Sequence, residues 1–410
     1  MKSKPILIIL LASLSVACVS TKSFKKFTPS FDLEFSENVF MPSEGNLFTG
    51  GEISSSVGLE TKFTDNSRLY ALYDFNYLGP AFHPQDTKNF NERSLSQVVS
   101  IEWQLKLSPR LKVKPGFTTN TTYRRFAVNE TWDSGLYNMQ SKGGHIAVDY
   151  TFDILGKESV LKTKVLYRDI LFPNYSDLFE EFETASLSSE ISGGAQDQKL
   201  YGVSLGVIRG KFTATAYLDL INFENQNVLE AGGVYGSDLQ KDKNIAFDLQ
   251  YRQKLNIFEF SPKIKLTMFR SNQNYLRFKY FAAPITDLSN PLGDVTFIDN
   301  NYSYDEISLD VPVSIKTGID SKWGLNGRFF ALQRKYKSRP ARDSENNYTM
   351  DNQRNRIVQI SAGVTRYLSE ITSMSFTYTF TSSGSNNKFE RYLPYNYTGN
   401  TFGATYNISF

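Results

Sequence analysis

Charged side chains that could act on a polar solute recur at alternate positions of short segments along this chain. Walls of such charges set ion preference in a water-filled passage. Lys112, Lys114, Lys162, Lys164 and Arg168 predict a positively charged wall. Asp219, Asp248 and Asp310 predict a separate, negatively charged wall further along the chain. Alternatively, the charges pair and only stiffen the structure. The basic candidates are Lys112, Lys114, Lys162, Lys164, Arg168, Arg252 and Arg328, and the acidic candidates are Glu102, Asp149, Asp219, Asp248 and Asp310.

Residues suited to catalysis are few. The chain has 2 histidines, His83 in a predicted loop and His145 at the start of a predicted strand. Neither has a serine in the same segment that would complete a nucleophile and base. No metal-ligand spacing occurs, and the single cysteine is Cys18. We therefore expect no enzyme, no metal site and no cofactor.

The N-terminus reads as a secretion signal over residues 1–17. Lys2 and Lys4 precede an apolar run that is too short to span a bilayer, and small residues end at Ala17. Residues 14–18 resemble a bacterial lipobox, which implies lipidation of Cys18, although Ser15 replaces the usual leucine. Ordinary cleavage near Ala17 is the alternative. Removing two lysines takes the formal charge from +3 to about +1, which argues against general nucleic-acid binding.

Alternation of apolar and polar residues predicts about sixteen β-strands, since side chains of a strand alternate between two faces. Mean hydropathy is −0.36 and aromatic residues make up 14% of the chain. The predicted strands span residues 30–36, 53–63, 69–78, 98–107, 111–123, 146–155, 160–171, 201–208, 212–223, 245–257, 264–278, 306–316, 323–334, 357–368, 374–381 and 401–410.

Short and long connections alternate between these strands. Seven tight joins carry turn residues, as at 64–67, 156–158 and 261–262. The intervening connections are much longer, for example 37–52, 172–200, 224–244 and 335–356. This alternation predicts an all-β, up-and-down antiparallel transmembrane barrel over residues 30–410, with short periplasmic turns and long external loops. Residues 18–29 are expected to form a short periplasmic segment.

The last strand carries a resemblance to a known class. Its apolar positions alternate up to the final residue, at Phe402, Tyr406, Ile408 and Phe410. Bacterial outer-membrane β-barrel proteins, the porins among them, typically end in this way. The resemblance implies location in the outer membrane, contact with its lipid and lipopolysaccharide, and recognition of the terminal strand by the barrel-assembly machinery. We expect this strand to pair with the first and close the barrel.

Loop 172–200 is acidic and resembles, in outline only, the constriction loop of general porins. That resemblance implies that Asp177, Glu180, Glu181 and Glu183 fold inward opposite the basic wall; a solvated external loop is the alternative. The sequence as a whole predicts a porin-like channel for small polar or charged solutes, with a homotrimer left open. The rivals are a surface receptor or adhesin with a plugged lumen, and a barrel component of an export or assembly system.

Overall fold

The computed structural model describes residues 27–43, 48–79, 92–126, 130–175, 196–231, 235–278, 295–316, 322–389 and 395–410. In these ranges no helix is long and apolar enough to cross a membrane. Twenty β-strands account for most of the described chain. The predicted signal segment, Cys18 and most of loop 172–200 lie outside the described residues.

The strands follow one another as antiparallel hairpins. Strands β10 and β11 form one barrel strand interrupted at Arg252, and β12 and β13 form the next, so eighteen segments make a closed barrel of 16 strands. Their bounds are β1 (Phe27–Pro42), β2 (Phe48–Thr64), β3 (Ser67–Gly79), β4 (Arg93–Lys106), β5 (Leu111–Arg125), β6 (Met139–Ile154), β7 (Lys157–Leu171), β8 (Gln198–Arg209), β9 (Phe212–Leu229), β10 (Tyr235–Tyr251), β11 (Gln253–Leu255), β12 (Phe258–Phe260), β13 (Lys263–Ser271), β16 (Tyr304–Lys316), β17 (Trp323–Arg342), β18 (Tyr348–Tyr367), β19 (Thr372–Ser385) and β20 (Tyr397–Ser409). A separate hairpin, β14 (Tyr275–Phe278) and β15 (Val295–Ile298), lies in the connection between β13 and β16.

The first and last strands close the barrel. Residues Asp32–Pro42 of β1 pair antiparallel with Gly399–Ser409 of β20. Beyond this ladder, Phe31 and Phe410 exchange two backbone hydrogen bonds of 2.9 Å, and their ring centroids lie 5.5 Å apart. The expected pairing of the terminal strand is therefore confirmed, and the sheet has no unpaired edge along this seam.

Three connections differ from the sequence prediction. The segments 37–52, 224–244 and 335–356 were expected to be long loops, but most of their residues extend the flanking strands. Above the bilayer both faces of a strand meet water, so the alternation that marks a strand disappears. The turn predicted at 261–262 is also wrong: the chain reverses at Asn256 and Ile257, where Asn256 adopts a φ of 50°. Ser261 and Pro262 instead interrupt a strand, a position where proline is tolerated.

Candidate functional site: the lumen and its external mouth

The two faces of the barrel differ in chemistry. On β16 the outward positions are Ile307, Leu309, Val311, Val313 and Ile315, and Ile307 is 48% exposed. The strand pairing places Leu266 and Gln333 beside Ile307 on the same face. Further apolar side chains exposed on the outer face include Ile101, Trp103, Phe117, Ile146, Val165, Leu205, Phe247, Phe376 and Phe402. This face suits the hydrocarbon of a bilayer.

The intervening positions turn charged and hydroxyl side chains toward the lumen. A charge at the lipid midplane costs about 2–4 kcal/mol, so the alternation directs these groups inward. The closed sheet leaves no backbone edge to the lipid. The fold is that of a bacterial outer-membrane β-barrel. At sixteen strands an outer-membrane barrel has an interior wider than side chains alone fill.

All five predicted acidic residues of the lumen make a polar contact. Glu102 Oε2 lies 3.2 Å from His145 Nε2, and Asp219 Oδ2 accepts a 3.1 Å hydrogen bond from Asn244. Three others form ion pairs, at 2.5 Å from Lys114 Nζ to Asp149, 2.8 Å from Lys263 Nζ to Asp248, and 2.7 Å from Arg328 Nε to Asp310. The carboxylates of Asp149, Asp248 and Asp310 therefore link adjacent strands through ion pairs, whereas those of Glu102 and Asp219 contact His145 and Asn244.

The basic residues behave differently. Lys112, Lys162, Lys164 and Arg168, here called the lumen cation patch, have no carboxylate within ion-pair distance among the described residues. Asp149 lies directly between Lys112 and Lys162 in the ladder, yet its carboxylate bonds to Lys114. Because the Asp149 carboxylate is surrounded by several lysines and pairs with only one of them, this part of the wall carries excess positive charge.

Small residues surround the lumen cation patch. The strand pairing places Ala147 and Ser204 on either side of Lys164, and Gly206 beside Lys162. Long side chains next to small ones have space to extend, and Lys162 is exposed. The ammonium groups are therefore available to a solute in the barrel. Arg252, also predicted to line the pore, lies at the break between β10 and β11, near the short-turn end.

A cavity of about 540 Å³ lies at the external mouth of the lumen. Aromatic rings and amides dominate its lining, which includes Tyr175, Phe223, Gln226, Tyr235, Phe269, Gln273 and Asn274. Gln273 is held in place because its Oε1 accepts a 2.9 Å hydrogen bond from the Leu229 backbone. At the edge of this region burial raises the pKa of the Asp197 carboxyl, which accepts a 2.6 Å hydrogen bond from Phe172 N–H.

Candidate sites for other chemistry are sparse in the described ranges. His145 contacts Glu102 across the intervening strand β5, where Gly116 lies opposite both residues and leaves space for a structural hydrogen bond. Within the same ranges no group of three or more His, Cys, Asp or Glu side chains is placed to hold a metal ion. The predicted constriction residues Asp177, Glu180, Glu181 and Glu183 lie outside the described residues.

No family model and no curated protein sequence matches this outer-membrane barrel. Among solved structures, the outer membrane protein OmpT of Vibrio cholerae is 9% identical, with a TM-score of 0.46, covering 94% of this chain and 98% of that one. The outer membrane protein OpdK of Pseudomonas aeruginosa is 9% identical, with a TM-score of 0.42 and coverages of 93% and 99%. CdiB of Acinetobacter baumannii is 10% identical, with a TM-score of 0.48 and coverages of 93% and 60%.

Sequence reasoning missed several features of the site. It did not single out Lys263 or Glu306, although Lys263 pairs with Asp248 and Glu306 lies 2.7 Å from Arg334. Alternation identifies the face of each residue, but the partner depends on the offset between strands. The cavity at the mouth could not be predicted from a sequence motif, because its lining residues are scattered along the chain between positions 175 and 302.

Proposed function

We propose that the chain forms a passive outer-membrane channel for small polar or charged solutes, with a preference for anions. The observation that carries this proposal is the lumen cation patch, whose four side chains have no carboxylate within ion-pair distance among the described residues. Charges that line a pore raise the local concentration of ions of opposite sign. Among the predicted acidic residues, Asp149, Asp248 and Asp310 contribute less to this field because each forms an ion pair with a Lys or Arg side chain.

Single-channel recording of the refolded mature protein in planar bilayers tests the proposal. We expect stepwise conductance and, in a salt gradient, a reversal potential that indicates anion preference. The double variant Lys162→Glu/Lys164→Glu should shift the preference toward cations, because two positive charges at neighbouring positions of β7 become negative. A barrel that inserts but never conducts would overturn the channel proposal.

A matched control uses the same substitution on the other face. Lys243 and Lys335 lie on the outer face of β10 and β17, where the ladder places them opposite the outward residues Arg270 and Asp305, respectively. Lys243→Glu/Lys335→Glu changes the net charge equally but leaves the lumen as it is. We expect the ion preference of this control to equal that of the wild type. An equal shift in both variants would mean that selectivity reflects net charge and that the lumen cation patch has no specific role.

The cavity at the mouth favours a second candidate, a surface receptor that binds a hydroxylated solute such as a sugar. Aromatic faces and amide groups, which line this cavity, suit stacking and hydrogen bonding to such a ligand. Phe269→Ala and Gln226→Ala should weaken binding of a neutral oligosaccharide measured by calorimetry. No heat of binding with a panel of neutral oligosaccharides would count against this candidate and leave the channel proposal unaffected.

A further inference from the structure

A groove of about 490 Å³ lies on the outside of the barrel, on the wall formed by β10, β13, β16 and β17. Its apolar part is lined by Ile245, Phe247, Leu266, Met268 and Ile307, here called the wall groove. Phe247, Leu266 and Ile307 are direct cross-strand neighbours, and each is between 43% and 48% exposed. The groove therefore opens to the lipid and not to the lumen.

Lysine and arginine side chains lie at the end of the wall groove that is nearest the long connections. Lys243, Arg270, Lys335, Lys337 and Arg354, here called the outer-wall cation cluster, share the outward face. The long connections follow these positions, so this end meets the external leaflet. The apolar band on β16 ends at Ile307, and Asp305 begins the polar region.

The outer-wall cation cluster contains unfavourable neighbours. Lys243 lies directly opposite Arg270, and Lys335 lies directly opposite Arg354. Like charges at such positions destabilise a sheet. Asp305 is 2.6 Å from Arg270 and also pairs with Lys337. For Lys243, Lys335 and Arg354, no ion-pair partner lies within the described part of the chain.

We propose that the wall groove and the outer-wall cation cluster together bind a phosphorylated glycolipid of the outer leaflet, of the lipid A class. An acyl chain would occupy the apolar groove, one phosphate group would lie between the opposed Lys335 and Arg354, and a second would lie beside Lys243, opposite Arg270. The charge complementarity is direct, because a phosphate between two opposed cations converts repulsion into attraction. The volume lies within the ~300–1,000 Å³ range of ligand sites. This site is independent of whether the lumen conducts.

Native mass spectrometry of the refolded mature protein in micelles doped with bisphosphorylated lipid A tests this proposal. We expect retention of lipid A by the wild type and about tenfold or more weaker affinity in Lys243→Gln/Lys335→Gln/Arg354→Gln. The matched control is Lys112→Gln/Lys162→Gln/Lys164→Gln, which removes three cations from the lumen and should retain the lipid. Heat-modifiable gel mobility verifies that each variant is folded. Equal losses in both triple variants would overturn the site.

Further probes separate the contributions of the wall groove and of the outer-wall cation cluster to lipid A binding. Dephosphorylated lipid A should bind the wild type at least tenfold more weakly, and inorganic phosphate should not compete, because it lacks the acyl chains. Met268→Trp fills the wall groove but keeps every cation, and it should also weaken retention. If dephosphorylated and phosphorylated lipid A bind equally, or if the triple variant changes only self-association of the barrel, the proposal is wrong.

Discussion

The C-terminal residue closes the barrel through contacts that can be removed one at a time. Phe410 exchanges two 2.9 Å backbone hydrogen bonds with Phe31 and packs its ring 5.5 Å from the Phe31 ring. A net contribution of about 0.5–1.5 kcal/mol per hydrogen bond, and a similar amount for the aromatic pair, makes the residue worth about 2–4 kcal/mol. Deleting Phe410 should therefore lower the free energy of unfolding by that amount and impair assembly.

A comparison with Phe410→Ala divides this effect. The alanine variant keeps the backbone hydrogen bonds and should lose only the ring contact, about 0.5–1.5 kcal/mol. A double-mutant cycle with Phe31→Ala measures the coupling between the two rings directly. Unfolding is followed in liposomes by urea titration of intrinsic fluorescence, and assembly by heat-modifiable mobility after expression in cells. If the deletion variant inserts in cells and unfolds at the wild-type urea concentration, the proposed role of the terminal residue is refuted.

Three further substitutions test the wall. In Gly143→Val an added Cβ would lie 2.1 Å from the Tyr167 carbonyl oxygen, so we expect a loss of about 1–3 kcal/mol or more in unfolding titrations. Lys114→Ala removes the 2.5 Å ion pair of the largely buried Asp149 carboxylate and should cost about 1–3 kcal/mol, recovered in the double variant with Asp149→Asn. Gly210→Ala places a side chain at a φ of 57° and should cost about 1 kcal/mol; an unchanged stability would mean that the turn relaxes.

The strands within the bilayer were predictable because lipid and water impose opposite demands on alternate residues. On β16 every outward position from 307 to 315 is apolar, so the strand could be found and its faces assigned from sequence. The extensions of β17 and β18 beyond that band were not predicted, because both faces of these strands are polar there, as at Lys337 and Arg354. Loss of the apolar constraint removes the sequence signal.

The ion pairs of the lumen were less predictable than its faces. In the β5–β6 ladder Asp149 is directly opposite Lys112, but its carboxylate bonds to Lys114 two residues away. A diagonal contact of this kind depends on side-chain conformation as well as strand offset. The cations that pair with Asp248 and Asp310, namely Lys263 and Arg328, could not be assigned from the sequence for the same reason. The basic wall stays a prediction, which rests on Lys162 and Lys164 having no ion-pair partner among the described residues.

The strand order has a consequence for how such a barrel can change. Apart from the seam between β1 and β20, neighbours in the barrel are neighbours in sequence. A hairpin can therefore be inserted or removed without rerouting any other connection. The strands that become neighbours must only direct their apolar residues to the same face and pair in a matching register. Barrel diameter grows roughly linearly with strand number. Duplication or loss of one hairpin would thus change the width of the lumen in discrete steps, which makes the hairpin the natural unit for redesigning this protein.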